Sequence, residues 1–192
     1  MRIYELQKKY PLQNLINLTR LQDTSPKELS QIHIDFGTML GREILGLQAK
    51  KARLQTLTQG NKEELLYYDE SDFIIISILR AGLYIGEGLR VALPNAAFYV
   101  VKMPSELNAN DLKGKKIILC DAVINTGKTM EGFLQMCETH SLYIATNVIF
   151  APTAKRLLSF HGLNIFCIRT SSHSYQGQGG FDTGNRLFGS LK

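Results

Sequence analysis

Residues 117–129 read Ile-Ile-Leu-Cys-Asp-Ala-Val-Ile-Asn-Thr-Gly-Lys-Thr, and this stretch decides the fold. An apolar run, residues 116–120, reads as a strand that delivers a carboxylate, Asp121, at its end. A short turn follows, closing on Thr126, Gly127, Lys128 and Thr129. A helical segment then runs from Met130 to His140. The first N–H groups of a helix have no partner within it and point outward, ready to hold a phosphate. Gly127 lets backbone approach an anion closely. The two hydroxyls add donors and the lysine adds charge. An acid immediately before such a cradle points to a ligand carrying both a phosphate and sugar hydroxyls.

Outward from this stretch, the same rhythm repeats. Phe73 to Leu79 is a continuous apolar run, as expected of a strand buried on both faces. Arg80-Ala81-Gly82 turns the chain into a helix over 83–93 that ends at Pro94. Residues 96–101 form a further apolar run. Tyr143 to Phe150 ends as a strand in Val-Ile-Phe-Ala-Pro, followed by a short helix around 153–161 and a strand near 164–168. Alternating strands and helices predict an α/β fold with a parallel sheet and crossover helices. Ligands of such sheets sit beyond the carboxyl ends of the strands, where Arg80, Lys102 and Asp121 all fall. Ser25-Pro26-Lys27-Glu28 reads as a capping box. Leu29, Ile32, Phe36, Leu40, Ile44 and Leu47 recur after it at helical spacing. The helix, or helix pair, is expected to stop near Gly60-Asn61. The basic run Lys50, Lys51 and Arg53 reads as a solvated helix face.

With 192 residues, 44% of them hydrophobic, the chain has the material for one sizeable core. No linker or repeat divides it, so residues 1–192 are expected to form a single domain. Its net charge of +5 favours anionic ligands such as nucleotides, phosphates or RNA. Cys120, Cys137 and Cys167 are odd in number and lack metal-like spacing, which fits buried thiols in a reducing cytoplasm. No signal-peptide core or membrane-length apolar run is present, so a soluble cytoplasmic protein is expected. His33, His140, His161 and His173 show no paired spacing and read as solvated or satisfied side chains.

Ala122-x4-Gly127-Lys128-Thr129 nearly matches the phosphate loop of nucleoside triphosphatases. That loop requires glycine where Ala122 stands, and a later strand ending in aspartate to hold Mg²⁺. The strand ending at Phe150 offers no acid. Arg80-Ala81-Gly82 forms a compact anion loop whose guanidinium can grip a diphosphate through two parallel hydrogen bonds. Near the C-terminus, Tyr175 to Ser190 is glycine-rich but carries Phe181, Leu187 and Phe188, whose apolar surface argues for docking rather than a free tail.

Together these features resemble the uracil phosphoribosyltransferases of the type I phosphoribosyltransferase fold. The resemblance runs from Tyr10-Pro11-Leu12 to the C-terminus. Ile78-Leu79-Arg80-Ala81-Gly82-Leu83 is similar to the pyrophosphate loop of that family. Asp121 to Thr129 is similar to its phosphoribosyl-diphosphate motif, and Gly180 to Ser190 to its uracil-binding signature. The resemblance implies a mostly parallel sheet flanked by helices, an N-terminal helical segment and a C-terminal hood over the base. It implies transfer of phosphoribosyl from its diphosphate to uracil, giving UMP and pyrophosphate in pyrimidine salvage, with Mg²⁺ carried on the diphosphate, in a homodimer. Asp121 and Arg80 are the implied catalytic groups. The implied sugar-diphosphate contacts are Arg80, Ala81, Gly82, Lys102, Asp121, Ala122, Val123, Ile124, Asn125, Thr126, Gly127, Lys128, Thr129 and Asp182. The implied base contacts are Gln176, Phe181, Asp182 and Thr183. The chain departs from the family pattern at Lys102, Ala122, Gln176 and Phe181, where arginine, proline, an apolar residue and glycine are usual. Two alternatives stand beside this reading: a related transferase for another base, and a regulator that binds nucleotide or RNA without chemistry.

Overall fold

The computed structural model describes residues 1–48, 50–137, 141–175, 177 and 181–190. β4 (Phe73–Ile78) is buried at every position, as its unbroken apolar sequence requires. It pairs with β5 (Ala97–Val101) on one side and β6 (Lys116–Ile124) on the other. Beyond β6 lie β7 (Leu142–Phe150), β8 (Leu163–Ser171) and a short edge strand, β1 (Ile3–Glu5). The order of this six-stranded sheet is β1-β8-β7-β6-β4-β5. Every pair is parallel.

Helices cover both faces. α1 (Gln13–Arg20), α2 (Pro26–Gln48) and α3 (Gly82–Ala92) lie on one of them. There Leu29, Phe36, Leu40, Ile85 and Leu89 pack with Phe73, Ile75, Ile118, Cys120 and Phe166. The opposite face is covered by α4 (Ala109–Leu112), α5 (Lys128–Met136) and α6 (Ala151–Leu157). Met130, Phe133, Leu134 and Leu157 there bury Ile76, Leu119, Ile144 and Ile165. Apolar burial of this kind is the main favourable contribution to folding. The predicted cap is formed: the Glu28 N–H donates to Ser25 Oγ at 3.2 Å. All three cysteines are buried free thiols. No described helix is long and apolar enough to cross a membrane.

One expectation fails. α2 ends at Gln48 instead of continuing toward Gly60. Residues 50–69 form an antiparallel hairpin, β2 (Lys50–Thr58) and β3 (Asn61–Asp69), in a sheet of its own. Gln59 and Gly60 make its turn with φ of 47° and 90°, the left-handed pair that matches strand twist in a two-residue hairpin. The basic residues read as a helix face therefore begin a strand, and Arg53 pairs with Glu64 across it at 3.0 Å. Leu54 and Leu57 sit three residues apart, which mimics helical spacing, but both are exposed. β6 also runs four residues past Cys120, so Asp121 lies within the strand rather than at its tip.

Candidate active site

A parallel sheet brings the carboxyl ends of all its strands to one edge, and the predicted residues collect there. After β4 the chain passes through Leu79 and Arg80, joined by a cis peptide, into α3. A Cβ on Gly82 would lie 2.4 Å from the Cys120 carbonyl oxygen, so only glycine seats α3 directly beside Asp121. Arg80 is held by the C-terminal helix α7 (Thr183–Phe188) and the residues after it. Its Nη2 donates to Asn185 Oδ1 at 2.6 Å and its Nη1 to Ser190 Oγ at 3.3 Å. The guanidinium also lies 6.0 Å from the centre of the Phe188 ring. Asp182 caps α7 by accepting the Asn185 N–H at 3.0 Å.

The second turn, between β6 and α5, is braced from behind. Gly127 takes φ 76° as the residue before α5. Thr153 Oγ1 donates to the Asn125 carbonyl at 2.6 Å. Arg156 donates to the Thr126 carbonyl and pairs with Glu131. The Asn125 amide donates to the Tyr175 carbonyl, tying this turn to the C-terminal segment. The Lys128 N–H lies 3.5 Å from Thr126 Oγ1, and residues 125–130, where the first N–H groups of α5 have no partner within the helix, line a cleft.

Two small clefts meet at Asp121. One, of about 290 Å³, is lined by Arg80, Ala81, Asp121, Tyr175, Asp182 and Thr183. The other, of about 190 Å³, is lined by Asp121 and by Asn125 through Met130. Val123 and Asn125 border both. Desolvation at this position raises the Asp121 carboxyl to about 7. Hydrogen bonds from the Ala122 and Val123 N–H groups oppose the shift, and the charge of Asp182 adds to it. The Ala122 N–H lies 2.7 Å from Asp121 Oδ1.

The edge thus gathers Arg80, Ala81, Asp121, Asp182 and the 125–129 turn. Gly82 and Ala122 are buried and line neither cleft. Lys102 lies beyond β5, exposed, with its N–H donating to Glu106 at 3.1 Å; it lines neither cleft. Phe181 is exposed and borders a third, larger opening with Thr183. Gln176 falls outside the described residues. Sequence reasoning missed the grip of Asn185 and Ser190 on Arg80, and the braces Thr153 and Arg156. The first two sit in the segment already singled out; the braces carry no local signal.

A carboxylate set between an arginine-bearing turn and the turn that opens α5, on a parallel sheet, is the arrangement expected of the type I phosphoribosyltransferase fold. Over residues 6–190 the sequence matches the uracil phosphoribosyltransferase family. It is 30% identical to the uracil phosphoribosyltransferase of Aquifex aeolicus over 198 residues, covering 92% of this chain and 93% of that one. The corresponding protein of Sulfurisphaera tokodaii is 27% identical, with 98% and 100% covered. A solved Aquifex aeolicus structure superposes with a TM-score of 0.81 at 26% identity over 97% of each chain. The chain belongs to the uracil phosphoribosyltransferase family and is an enzyme of the glycosyltransferase class.

Proposed function

We propose that the protein transfers the 5-phosphoribosyl group of phosphoribosyl diphosphate to uracil. The C1–O bond to the diphosphate breaks and a C1–N bond to the base forms. UMP and pyrophosphate result, and the ring nitrogen's proton passes to solvent. The observation that carries this reading is that Asp121 borders both anion clefts. A substrate with a phosphate at each end of a pentose fits that arrangement. The N–H groups and side chains of Thr126, Gly127, Lys128 and Thr129 would hold the 5-phosphate. Arg80, oriented by Asn185 and Ser190, would neutralise the diphosphate as it leaves. Asp121 would accept hydrogen bonds from the ribose hydroxyls. Its attraction to the sugar strengthens as positive charge grows at C1, so it stabilises the transition state more than the ground state. Thr183 and the Phe181–Asp182 backbone would meet the base.

Magnesium fits the residues present. Asp121 and Asp182 line one cleft, and desolvation, with a smaller contribution from the charge of Asp182, raises the Asp121 carboxyl, a shift that a bound cation would oppose. Among the described residues no three His, Cys, Asp or Glu side chains converge to form a metal cage. A divalent ion would therefore draw most of its ligands from the diphosphate, with these two carboxylates beside it. When bound it would offset charge on the departing diphosphate. We further propose a role in pyrimidine salvage in a reducing cytoplasm, consistent with the three buried free thiols. The homodimer implied by family membership would have a surface in the β2–β3 hairpin, which exposes Leu54, Leu57, Leu66 and Tyr67 to solvent.

The test is a panel of bases assayed with phosphoribosyl diphosphate and Mg²⁺, reading pyrophosphate release. UMP formation from uracil is expected. No release with any base, together with salt-sensitive RNA binding, would overturn the reading in favour of a regulator.

A further inference from the structure

The third opening, of about 510 Å³, continues from the sugar site past Val123, Asn125, Tyr175 and Thr183. Its walls include Arg20, His33, Asn147 and Arg169, and no Asp or Glu lines it among the described residues. Asn147 is buried on β7, and a chain of hydrogen bonds fixes its orientation. His33 Nδ1 lies 2.8 Å from the Leu29 carbonyl, which only accepts, so Nδ1 carries the proton. Burial draws the His33 pKa down to about 4, leaving the ring neutral with a lone pair on Nε2. Asn147 Nδ2 lies 3.3 Å from that nitrogen and donates to it. The amide oxygen is thereby turned away from His33, buried and without a hydrogen-bond partner. Arg169, paired with Val148 in the β7–β8 register, has its Nε buried and equally unpartnered. An unpaired buried acceptor and an unpaired buried donor both destabilise the empty cleft. A ligand ring N–H would satisfy the first, and a ligand carbonyl or carboxylate the second.

Charge narrows the ligand further. Desolvation and the nearby Arg20 both depress the Arg169 guanidinium. Arg186, also in the wall, already donates to the Thr19 and Leu21 carbonyls. Glu5 offsets part of the Arg169 charge, but Arg20 and Arg169 still make the lining positive, with no described carboxylate in it, which favours a ligand bearing a negative charge. We propose that this cleft is a base subsite reading its ligand through Asn147, Arg169 and Arg20, and that it takes pyrimidines carrying a carboxylate more tightly than uracil. The inference rests on the transfer reading only in assigning this end of the site to the acceptor.

The test is calorimetry of the full chain, alone and with saturating phosphoribosyl diphosphate, against uracil, 5-carboxyuracil, 6-carboxyuracil and the two carboxamides. One of the acids is expected to bind at least about tenfold more tightly than uracil, with its neutral amide showing no such gain. Arg169→Gln should lower affinity for that acid about tenfold more than affinity for uracil. Arg20→Gln, on an exposed side chain, should act in the same direction. Neither acid exceeding uracil, or a gain that survives both substitutions, would overturn the inference. If UMP forms while neither acid binds better, the inference falls and the transfer reading stands. If phosphoribosyl diphosphate fails to bind while an acid still does, the outcome is the reverse.

Discussion

The cleft edge of the sheet and the β2–β3 hairpin each turn on a glycine of positive φ, and the two glycines sit in opposite surroundings. Gly127 at the cleft has φ 76° and Gly60 in the hairpin has φ 90°. A Cβ on Gly127 would lie 2.7 Å from Thr153 Cγ2, while one on Gly60 would meet nothing within 4 Å. Around Gly127 the protein buries polar atoms and crowds backbone against side chains from distant segments. Around Gly60 it leaves Leu57 69% and Leu66 67% exposed on strands paired to each other. The turn in the hairpin is a local solution. The turn at the cleft exists because α6 and the C-terminal segment hold it, which is what a preorganised anion site requires.

Four measurements would break or sharpen this contrast. The largest effect is expected at Asp121→Asn, which keeps size and hydrogen bonding but removes charge. Turnover should fall about 10²–10³-fold with little change in KM, the signature of an interaction made mainly in the transition state. Equal losses in both parameters would reduce Asp121 to an ordinary binding group.

Next in size is a pair of glycine substitutions. Gly60→Ala should lower stability by about 1 kcal/mol through φ strain alone. Gly127→Ala should lower it by about 2–4 kcal/mol, because overpacking against Thr153 adds to the same strain. Urea unfolding of both variants reads the difference, and equal losses would erase the contrast.

The third measurement is pH. The Asp121 carboxyl is raised from 3.8 to about 7, so the unliganded fold favours its protonated form. Stability of the unliganded protein should therefore decline as pH rises from about 4 toward 7. The active form is ionised, so kcat/KM should rise over the same range and level off above about 7. Asp121→Asn should flatten the stability slope. An unchanged slope in that variant would assign the titration to another group.

The smallest effect is expected in the hairpin. Leu66→Glu should leave unfolding free energy within about 0.5 kcal/mol of the parent. Its influence should appear in sedimentation, as weakened self-association. A large loss of stability would mean the hairpin packs on its own body after all.

These contrasts also explain what the sequence could reveal. The unbroken run Phe73–Ile78 and the strand-then-turn pattern at 121–129 are local, and they led correctly to the parallel sheet, at whose carboxyl edge Arg80, Asp121 and the 125–129 turn lie together. The capping box at Ser25 located the start of α2. The end of α2 was misplaced because Leu54 and Leu57 sit at helical spacing, and nothing in residues 50–58 says that both leucines stay exposed. Asn147 and Arg169 were invisible for another reason. Each is a lone polar residue in an apolar strand, and its meaning comes from His33 and Arg20, which are far away in sequence. The grip of Asn185 and Ser190 on Arg80 likewise spans more than a hundred residues. Such long-range pairings leave no periodicity to read.

The central claim is that two anion-binding turns serve one pentose with Asp121 beneath it. A crystal structure of the protein with phosphoribosyl diphosphate and Mg²⁺ tests it most directly. The account predicts the 5-phosphate against the N–H groups of residues 126–129, the diphosphate beside Arg80, and the ribose hydroxyls within hydrogen-bond distance of Asp121. A ligand that leaves either turn empty at saturation, or a pentose lying away from Asp121, would contradict it.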